Sequence, residues 1–373
     1  MKIVVATDSF KGTLKALDAC RIIAEAVLEC LPEANVVIKP MADGGEGTAS
    51  AMIEAAGGRW ISRTVMGPLP QMQVEAGFAW FEDKTALVEM AAASGLELLA
   101  PGQMNPLKTT TYGTGELIRA AIEHGACKVL LAVGGSATVD CGLGAGTSLG
   151  WKFLDHEGAP VPLGGAGLEQ VRRIIRPESP CIVPVEVLCD VDNPLTGEYG
   201  AAKVYGPQKG ATPAMVERLD RGLAHVAGLV REQLGCEIEN LPGAGAAGGL
   251  AAGAVAFMGA TIVSGIETVM ARSNLRAELQ SADWVITGEG SFDSQSLRGK
   301  VVSGVLQMAR ESNARLAVLA GMVNIPEDEY QRAGIEAAIS CKTDEMSLDY
   351  ALKNSRELLH AAAKRFAGQY LCR

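Results

Sequence analysis

Residues 1–27, MKIVVATDSFKGTLKALDACRIIAEAV, carry the pattern that decides the fold. Residues 2–7 form an apolar run that predicts a buried strand, and a polar loop follows it. Thr13 is then predicted to cap a helix whose apolar residues recur at helical spacing. The same order recurs once more, with a predicted strand at 36–40, a loop at 42–47 and a helix from residue 48 onward. This alternation predicts a parallel sheet with helices on its faces.

The middle of the chain has a different pattern. Runs at 61–65, 74–80 and 85–90 are joined by Pro-rich or charged turns and indicate antiparallel strands. Further predicted elements are strands at 128–133, 185–189, 284–287, 315–319 and 336–340, and helices at 245–258 and around 348–366. We therefore predict an α/β protein with a Rossmann-like parallel α/β domain formed by residues 1–62 and 280–373. Residues 63–279 are predicted to form an inserted α/β domain with a mixed sheet.

Composition and charge argue against several classes of protein. The chain has 373 residues, 48% of them hydrophobic, and its formal net charge of −10 would repel the phosphates of a nucleic acid. Residues 241–266 carry no charge and could span a bilayer, but their Gly and Ala content and acidic flanks favour a buried helix. Nine irregularly spaced cysteines and the lack of a signal-peptide core indicate a reduced compartment without structural zinc. We expect a cytoplasmic protein without nucleic-acid or membrane partners.

Five predicted strands end in loops that contain glycine, an acidic residue or both. These loops are ATDSFKGT (6–13), MADGGEGT (41–48), VGGSATVDCG (133–142), CDVDNP (189–194) and TGEGSFDSQS (287–296). Ligands of open α/β sheets lie outside the carboxyl ends of the strands, and glycine amides near helix N-termini suit phosphate. The acids would repel a bare anion, so they indicate a bridging cation such as Mg²⁺. The alternative is that they only cap helices or form Asx turns.

Most named nucleotide motifs are missing. Gly299-Lys300 lacks the remaining residues of a Walker A loop. Gly243, Gly245 and Gly248 have Rossmann spacing but do not directly follow a strand, so an NAD-dependent hydroxy-acid dehydrogenase stays an alternative. The four histidines lie outside the five loops. Carboxylates are therefore the available proton acceptors, as suits phosphoryl transfer.

Six ordered segments resemble a known family. They are ATDSFKGT, ADGGEGT, GGSATVD, CDVDNPLTG with GPQKGA, PGAGAAGG, and TGEGSFDSQ with GK, and they resemble the type I bacterial glycerate kinases over essentially the whole chain. The resemblance implies an ATP-dependent kinase that converts D-glycerate to 2-phosphoglycerate in glyoxylate and sugar-diacid breakdown, with its active site in the cleft between two α/β domains. Ser291 stands where this family commonly has Arg, and Val139 and Cys141 stand where it has Asn and Gly.

Glycerate requires a cation for its carboxylate and a base beside one hydroxyl, which assigns roles to the loop residues. The predicted catalytic residues are Asp190, as the base, with Lys11 and Asp293. The predicted substrate-binding residues are Asp8, Ser9, Lys11, Arg298, Asp192 and Asn193, with Lys11 or Arg298 holding the carboxylate. The predicted nucleotide-binding residues are Gly44, Gly45, Gly134, Gly135, Ser136, Thr138 and Lys209. Asp43, Glu46 and Glu289 are predicted to hold Mg²⁺, and ATP and Mg²⁺ are the expected cofactors.

Several alternatives stay open at this stage. The cluster around Asp190 could be a turn before Pro194, Ser136 and Thr138 could cap a helix, and Lys209 could be an exposed lysine. The product could be 3-phosphoglycerate, since the position of the reacting hydroxyl depends on fine geometry. A non-catalytic sugar-acid-binding protein is a further alternative. The oligomeric state is open between monomer and homodimer.

Overall fold

The computed structural model describes residues 1–10, 12–42, 44–45, 47–180, 183–297 and 301–372. In chain order the strands are β1 (Lys2–Val5), β2 (Asn35–Ile38), β3 (Arg59–Met66), β4 (Gln73–Trp80), β5 (Thr85–Glu89), β6 (Lys128–Ala132), β7 (Lys152–Leu154), β8 (Arg173–Ile175), β9 (Val185–Leu188), β10 (Thr261–Val263), β11 (Trp284–Thr287), β12 (Ser291–Phe292), β13 (Arg315–Ala320), β14 (Met322–Val323) and β15 (Ala337–Ser340).

The helices alternate with these strands through most of the chain. They are α1 (Ala16–Cys30), α2 (Thr48–Ala56), α3 (Ala91–Ser94), α4 (Tyr112–Glu123), α5 (Leu143–Ser148), α6 (Ala201–Tyr205), α7 (Pro213–Leu234), α8 (Ala246–Met258), α9 (Gly265–Arg272), α10 (Leu275–Leu279), α11 (Val301–Ser312), α12 (Glu327–Arg332), α13 (Leu348–Lys353) and α14 (Ser355–Phe366). Short 3₁₀ helices cover Leu96–Leu98, Pro101–Gln103, Gly165–Gln170 and Pro207–Lys209, and a π-helical turn covers Ala367–Leu371.

The chain divides into two compact units. Unit 1 contains the described residues of 1–43, 50–57 and 266–373, and unit 2 contains those of 44–49 and 58–265. In unit 1 the described residues form a parallel sheet in the order β15-β13-β11-β1-β2. Helices α1 and α14 cover one face, where Trp284 of β11 is fully buried against Phe366 with ring centroids 5.1 Å apart. Burial of this kind explains why these strands are continuous apolar runs.

Unit 2 is built on a mixed sheet. Its described strands have the order β10-β9-β6-β5-β4-β3, with β3, β4 and β5 antiparallel and β5, β6, β9 and β10 parallel. Helices α4 and α8 pack on this sheet through residues such as Leu117 and Leu250. The long helix α7 contributes Leu219 and Leu223 to a second core that also holds Trp151. The fold class predicted from the sequence is therefore confirmed.

Two local predictions had different outcomes. Thr13 does not cap α1, because the helix begins at Ala16 and the Thr13 hydroxyl donates instead to the Phe10 carbonyl oxygen (2.8 Å). The uncharged segment 241–266 contains the buried helix α8, as predicted. Within the part of the chain that the structure describes, no helix has the length and apolar character needed to cross a membrane. The division of the chain at residues 62/63 and 279/280 stays a prediction.

Candidate functional site

The first group of predicted site residues lies in unit 1, at the carboxyl ends of its parallel strands. The chain continues from β1 to β2 on one side, whereas β11, β13 and β15 lie on the other side of β1. The loops after β1 and β11 therefore meet where the strand order reverses, which is the usual ligand position in such sheets. A cavity of about 350 Å³ lies here, with Asp8, Ser9, Glu289, Ser291 and Asp293 on its polar side. We call it the unit 1 cavity.

Backbone contacts hold these loops in place. The Asp8 N–H donates to the Gly288 carbonyl oxygen (2.9 Å), which joins the loop after β1 to the loop after β11. A β-carbon on Gly288 would collide with the Leu319 carbonyl oxygen, so glycine allows the loop to approach β13. The Asp293 carboxylate accepts the Gln295 N–H (2.8 Å). Asp293 thus forms the Asx turn that was the alternative interpretation, and it also lines the cavity.

The lining of the unit 1 cavity also has an apolar part. It is formed by Phe10, Met322, Leu348, Leu352 and Leu358, which come from the loop after β1, from β14 and from helices α13 and α14. The polar and glycine-bearing loops of the sequence do not indicate this apolar part of the lining. The amphipathic pattern of the last helical region was the available signal, since such a pattern marks apolar side chains that need a partner.

The second group lies in unit 2, at the carboxyl ends of β6 and β9. Gly44 has φ of +83°, and a β-carbon there would lie 2.9 Å from the Leu188 carbonyl oxygen at the end of β9. The Gly134 N–H, just after β6, donates to the Gly44 carbonyl oxygen (3.3 Å). The structure thus brings two predicted nucleotide-binding loops together. It also shows that the Gly134 N–H bonds within the protein, so this amide is occupied.

Glu89 is a residue that sequence reasoning missed. Its carboxylate accepts the Ala49 N–H (2.6 Å) in the first turn of α2, where a negative charge is favourable. The Gly45 carbonyl oxygen accepts the Thr48 hydroxyl (2.6 Å) in the same turn. The available signal was an acid at the end of a predicted strand.

Lys209 is buried, contrary to its alternative interpretation as an exposed lysine. Only 2% of the residue is exposed, and its ammonium group donates to the Ser136 hydroxyl (2.6 Å) and to the Thr138 carbonyl oxygen (2.8 Å). Burial lowers the pKa of Lys209 to about 7, and the Asp140 carboxylate opposes this shift. Because Lys209 donates into the Ser136 oxygen, the Ser136 hydroxyl hydrogen can donate elsewhere. Gly135, with φ of +73°, precedes Ser136 in this turn.

The neighbouring acid, Asp140, has a structural role. It is fully buried, and its carboxylate accepts the Thr111 N–H (2.8 Å), the Thr111 hydroxyl and the Gly142 N–H (3.1 Å). Burial raises the pKa of Asp140, and these hydrogen bonds oppose the shift. Asp140 therefore fits the alternative interpretation of the acids in these loops, because its carboxylate binds backbone N–H groups of the protein. The Thr138 hydroxyl oxygen is also buried, and among the described residues no hydrogen-bond partner reaches it.

Asp190 lies directly after β9, and hydrogen bonds from the neighbouring segment hold its side chain in position. Its carboxylate oxygen Oδ1 accepts the Ser264 hydroxyl (2.7 Å) and the Gly265 N–H (3.1 Å), both from the segment after β10. The residue is exposed, so a substrate can reach it. Asp192 is also exposed, while the Asn193 side chain donates to the Tyr199 carbonyl oxygen (2.8 Å). The Asn193 amide therefore fixes the following loop.

Four predicted site residues lie outside the described residues. They are Lys11, Asp43, Glu46 and Arg298. Among the residues that are described, no group of three or more His, Cys, Asp or Glu side chains is arranged to hold a metal ion. Mg²⁺ needs only one or two protein carboxylates when substrate phosphates and waters complete its coordination, so carboxylates such as Glu289 fit this chemistry.

The glycines with Rossmann spacing pack against the protein itself. A β-carbon on Gly243 would lie 3.1 Å from the Val191 carbonyl oxygen, and one on Gly248 would collide with the Thr138 carbonyl oxygen. Gly245 is similarly close to the Pro194 carbonyl oxygen. Their lack of side chains thus serves close packing within unit 2, which gives no support to the dehydrogenase alternative.

Comparison with known proteins gives the family. Residues 3–371 match the glycerate kinase family. The glycerate kinase of Halalkalibacterium halodurans is 43% identical over 369 residues, which cover 98% of this chain and 97% of the relative. The glycerate 2-kinase of Escherichia coli K12 is 41% identical over 373 residues, with the same coverage of 98% and 97%.

A solved structure agrees with the sequence relatives. A crystal structure described as a glycerate kinase 2 from Salmonella typhimurium LT2 has a TM-score of 0.85 and 43% sequence identity, covering 99% of this chain and 97% of that chain. Together with the family match, these relatives show that the chain belongs to the glycerate kinase family and is an ATP-dependent kinase.

Proposed function

We propose that this kinase transfers the γ-phosphoryl group of ATP to the 2-hydroxyl of D-glycerate, giving 2-phosphoglycerate and ADP, in glyoxylate and sugar-diacid breakdown in the cytoplasm. The observation that carries the proposal is the 41% identity to the Escherichia coli protein named glycerate 2-kinase, over 98% of this chain. That name specifies the hydroxyl that the relative phosphorylates, and the match covers 97% of the relative.

The turn after β6 supports phosphate binding. The Ser136 oxygen accepts from the buried Lys209 ammonium (2.6 Å), so its own hydrogen is directed to another acceptor. A phosphate oxygen is such an acceptor. Lys209 in this proposal positions Ser136 and does not itself touch the phosphate, because the residue is only 2% exposed and two of its three N–H groups already donate to oxygens of the turn. Gly44 and Gly45 lie beside this turn and are proposed to provide space for the nucleotide.

Asp190 is proposed as the general base. Its Oδ1 oxygen is fixed by the Ser264 hydroxyl and the Gly265 N–H, which sets the direction of the carboxylate. The carboxylate accepts the proton of the glycerate 2-hydroxyl as the hydroxyl oxygen bonds to the γ-phosphorus. The bond from the γ-phosphorus to the bridging oxygen breaks, and ADP leaves with that electron pair.

The remaining predicted residues keep their proposed roles. Lys11 or Arg298 would hold the glycerate carboxylate, and Asp192 and Asn193 would contact the glycerate hydroxyls. Asp43, Glu46 and Glu289 would hold Mg²⁺ together with the phosphates of ATP. When bound, Mg²⁺ neutralises negative charge on the phosphoryl oxygens. Asp293 is proposed to support the site from the loop after β11.

Product analysis tests this function. Purified protein is incubated with Mg-ATP and D-glycerate, and the 2- and 3-phosphate products are separated and quantified. We expect 2-phosphoglycerate and an equal amount of ADP, with L-glycerate as the matched control substrate giving little product. Formation of 3-phosphoglycerate would refute the proposed regiochemistry, and binding of glycerate without ADP formation would refute the kinase reaction.

A further inference from the structure

The side-chain amide of Asn193 in unit 2 is held at both of its ends. Its nitrogen donates to the Tyr199 carbonyl oxygen (2.8 Å), and its oxygen accepts the Tyr205 hydroxyl (2.6 Å). A carbonyl oxygen can only accept a hydrogen bond, so the amide nitrogen must face Tyr199 and the amide oxygen must face Tyr205. The protein itself therefore fixes the orientation of this amide.

The fixed orientation determines what Asn193 can offer to a ligand. The amide nitrogen carries two N–H groups, and within the described part of the chain only one of them has a hydrogen-bond partner. The residue is partly exposed, so a small molecule can reach it. Because Tyr205 already donates to the amide oxygen, the second N–H is the group left for a ligand, and an N–H binds an oxygen that accepts.

Tyr205 is itself held by packing. It ends helix α6, whose Ala201 is fully buried in the second core of unit 2. The Ala201 N–H donates to the carbonyl oxygen of Leu195 (3.1 Å), which is fully buried in the same core, so the loop between Asn193 and α6 is anchored. Burial raises the pKa of the Tyr205 phenol, so its hydroxyl keeps the proton that it donates.

The segment that carries Tyr205 also carries Lys209. The Lys209 ammonium group donates to the Ser136 oxygen (2.6 Å) in the turn after β6, whereas the Tyr205 hydroxyl donates to Asn193 in the loop after β9. Residues 201–209 thus hold one polar side chain in each of two neighbouring loops. Tyr205 has the same relation to the loop after β9 that Lys209 has to the turn after β6.

We propose that Tyr205 is a positioning residue for the acceptor substrate, which orients Asn193 so that its second amide N–H donates to the 3-hydroxyl oxygen of D-glycerate. The proposal rests on the proposed function, in which Asp190 takes the proton of the 2-hydroxyl and Asn193 contacts a glycerate hydroxyl. With the 2-hydroxyl assigned to Asp190, the 3-hydroxyl is left for Asn193. The contact favours D-glycerate over acids without this hydroxyl, because such acids leave the N–H without their partner.

The test compares D-glycerate with D-lactate, which has the same carboxylate and 2-hydroxyl in the same configuration but lacks the 3-hydroxyl. Equilibrium titration gives the dissociation constant of each acid, and the kinase assay gives the KM for ATP. Tyr205→Phe removes only the hydroxyl and should weaken D-glycerate binding about fivefold, the order expected for one lost hydrogen bond. D-lactate binding and the KM for ATP should stay within about twofold of wild type.

Tyr112→Phe is the matched control. Tyr112 is also a partly exposed residue of unit 2, and its hydroxyl has no hydrogen-bond partner among the described residues, so all three constants should stay unchanged. Circular dichroism checks that each variant folds.

A double variant tests whether Tyr205 acts through Asn193. Asn193→Ala alone should weaken D-glycerate binding and leave D-lactate binding unchanged, which gives a second test should Tyr205→Phe fail to fold. When Asn193 is already replaced by alanine, Tyr205→Phe should not weaken D-glycerate binding further. Unchanged D-glycerate binding in Tyr205→Phe, an equal loss for D-lactate, or additive effects in the double variant would overturn the proposal.

The two proposals fail in different ways. If Tyr205→Phe weakens D-glycerate binding alone but product analysis finds 3-phosphoglycerate or no phosphorylated product, the Asn193 contact stands and the proposed reaction is wrong. If 2-phosphoglycerate forms and Tyr205→Phe weakens both acids equally, the proposed reaction stands and Tyr205 only stabilises the loop.

Discussion

Replacing Lys209 by methionine should remove a pH dependence from the stability of the protein. The buried ammonium group has a pKa of about 7, well below the ordinary value of 10.5. The unfolded chain therefore binds a proton more readily than the folded chain between these pH values. Stability must rise with pH across this window, because protonation favours the unfolded state there. Methionine has a similar length and no charge, so Lys209→Met should lack this contribution.

The magnitude follows from the pKa shift. A change from 10.5 to about 7 corresponds to roughly 5 kcal/mol over the full window, at about 1.4 kcal/mol per pKa unit. Between pH 7 and pH 9 this group alone should raise the free energy of unfolding by about 2 kcal/mol. Below pH 7 the lysine is protonated in both states, so the full cost of burying the charge is present and the slope disappears.

Urea unfolding followed by circular dichroism at pH 7, 8 and 9 measures the effect. The difference in unfolding free energy between wild type and Lys209→Met should change by about 2 kcal/mol over this range. Lys203→Met is the control, because Lys203 lies on the nearby helix α6 with its ammonium group paired to Glu217 (3.7 Å) at the surface. Parallel pH profiles for wild type and Lys209→Met would refute the reasoning. The KM for ATP should also rise in Lys209→Met, since Ser136 loses its donor.

Three further substitutions test other contacts. Asp190→Asn keeps an oxygen that can accept the Ser264 hydroxyl and the Gly265 N–H but cannot take a proton, so kcat should fall by about 100-fold to 10,000-fold with little change in thermal unfolding. Asp155→Asn, in an exposed turn of the same unit, is the control, and an unchanged kcat in Asp190→Asn would remove Asp190 as the base. Asp140→Asn places an amide against backbone N–H donors and should lower the free energy of unfolding by about 1–3 kcal/mol, measured by urea unfolding, whereas an unchanged midpoint would contradict the structural role. Gly44 has positive φ and lies close to a carbonyl oxygen of β9, whereas Gly235 has positive φ with open space around it, so Gly44→Ala should lower the melting temperature of the protein more than Gly235→Ala does. Equal melting temperatures for the two variants would argue against the close contact.

The sequence predicted the sheet strands closely because their signals are local. The run at 284–287 was predicted as a strand and is β11, since four apolar or β-branched residues bounded by polar ones have few other structures. The run predicted at 74–80 is β4, which covers Gln73–Trp80. Strand β10 was missed, because its three residues come directly after Gly259-Ala260, at the end of a long stretch of small residues. Whether a short edge strand forms depends mainly on the residues that pack against it.

The environment of individual side chains was harder to predict. Lys209 follows a glycine-containing segment, and packing places it under a turn that lies 71–73 residues away in the sequence. No local pattern reports such a contact. The helical region around 348–366 was predicted as one helix, whereas α13 ends at Lys353 and α14 begins at Ser355, and this break gives α13 its own direction beside the unit 1 cavity. Burial and direction both arise from tertiary packing.

The pairing of strand β1 in unit 1 imposes an order on biosynthesis. β1 is synthesised about 280 residues before its neighbour β11, which begins at Trp284, so one edge of β1 has no pairing partner during this interval. Unit 2 is nearly continuous in the chain and can fold while synthesis proceeds. During synthesis β1 therefore exposes one edge of unpaired backbone N–H and C=O groups, and such an edge can pair with other chains until β11 is made.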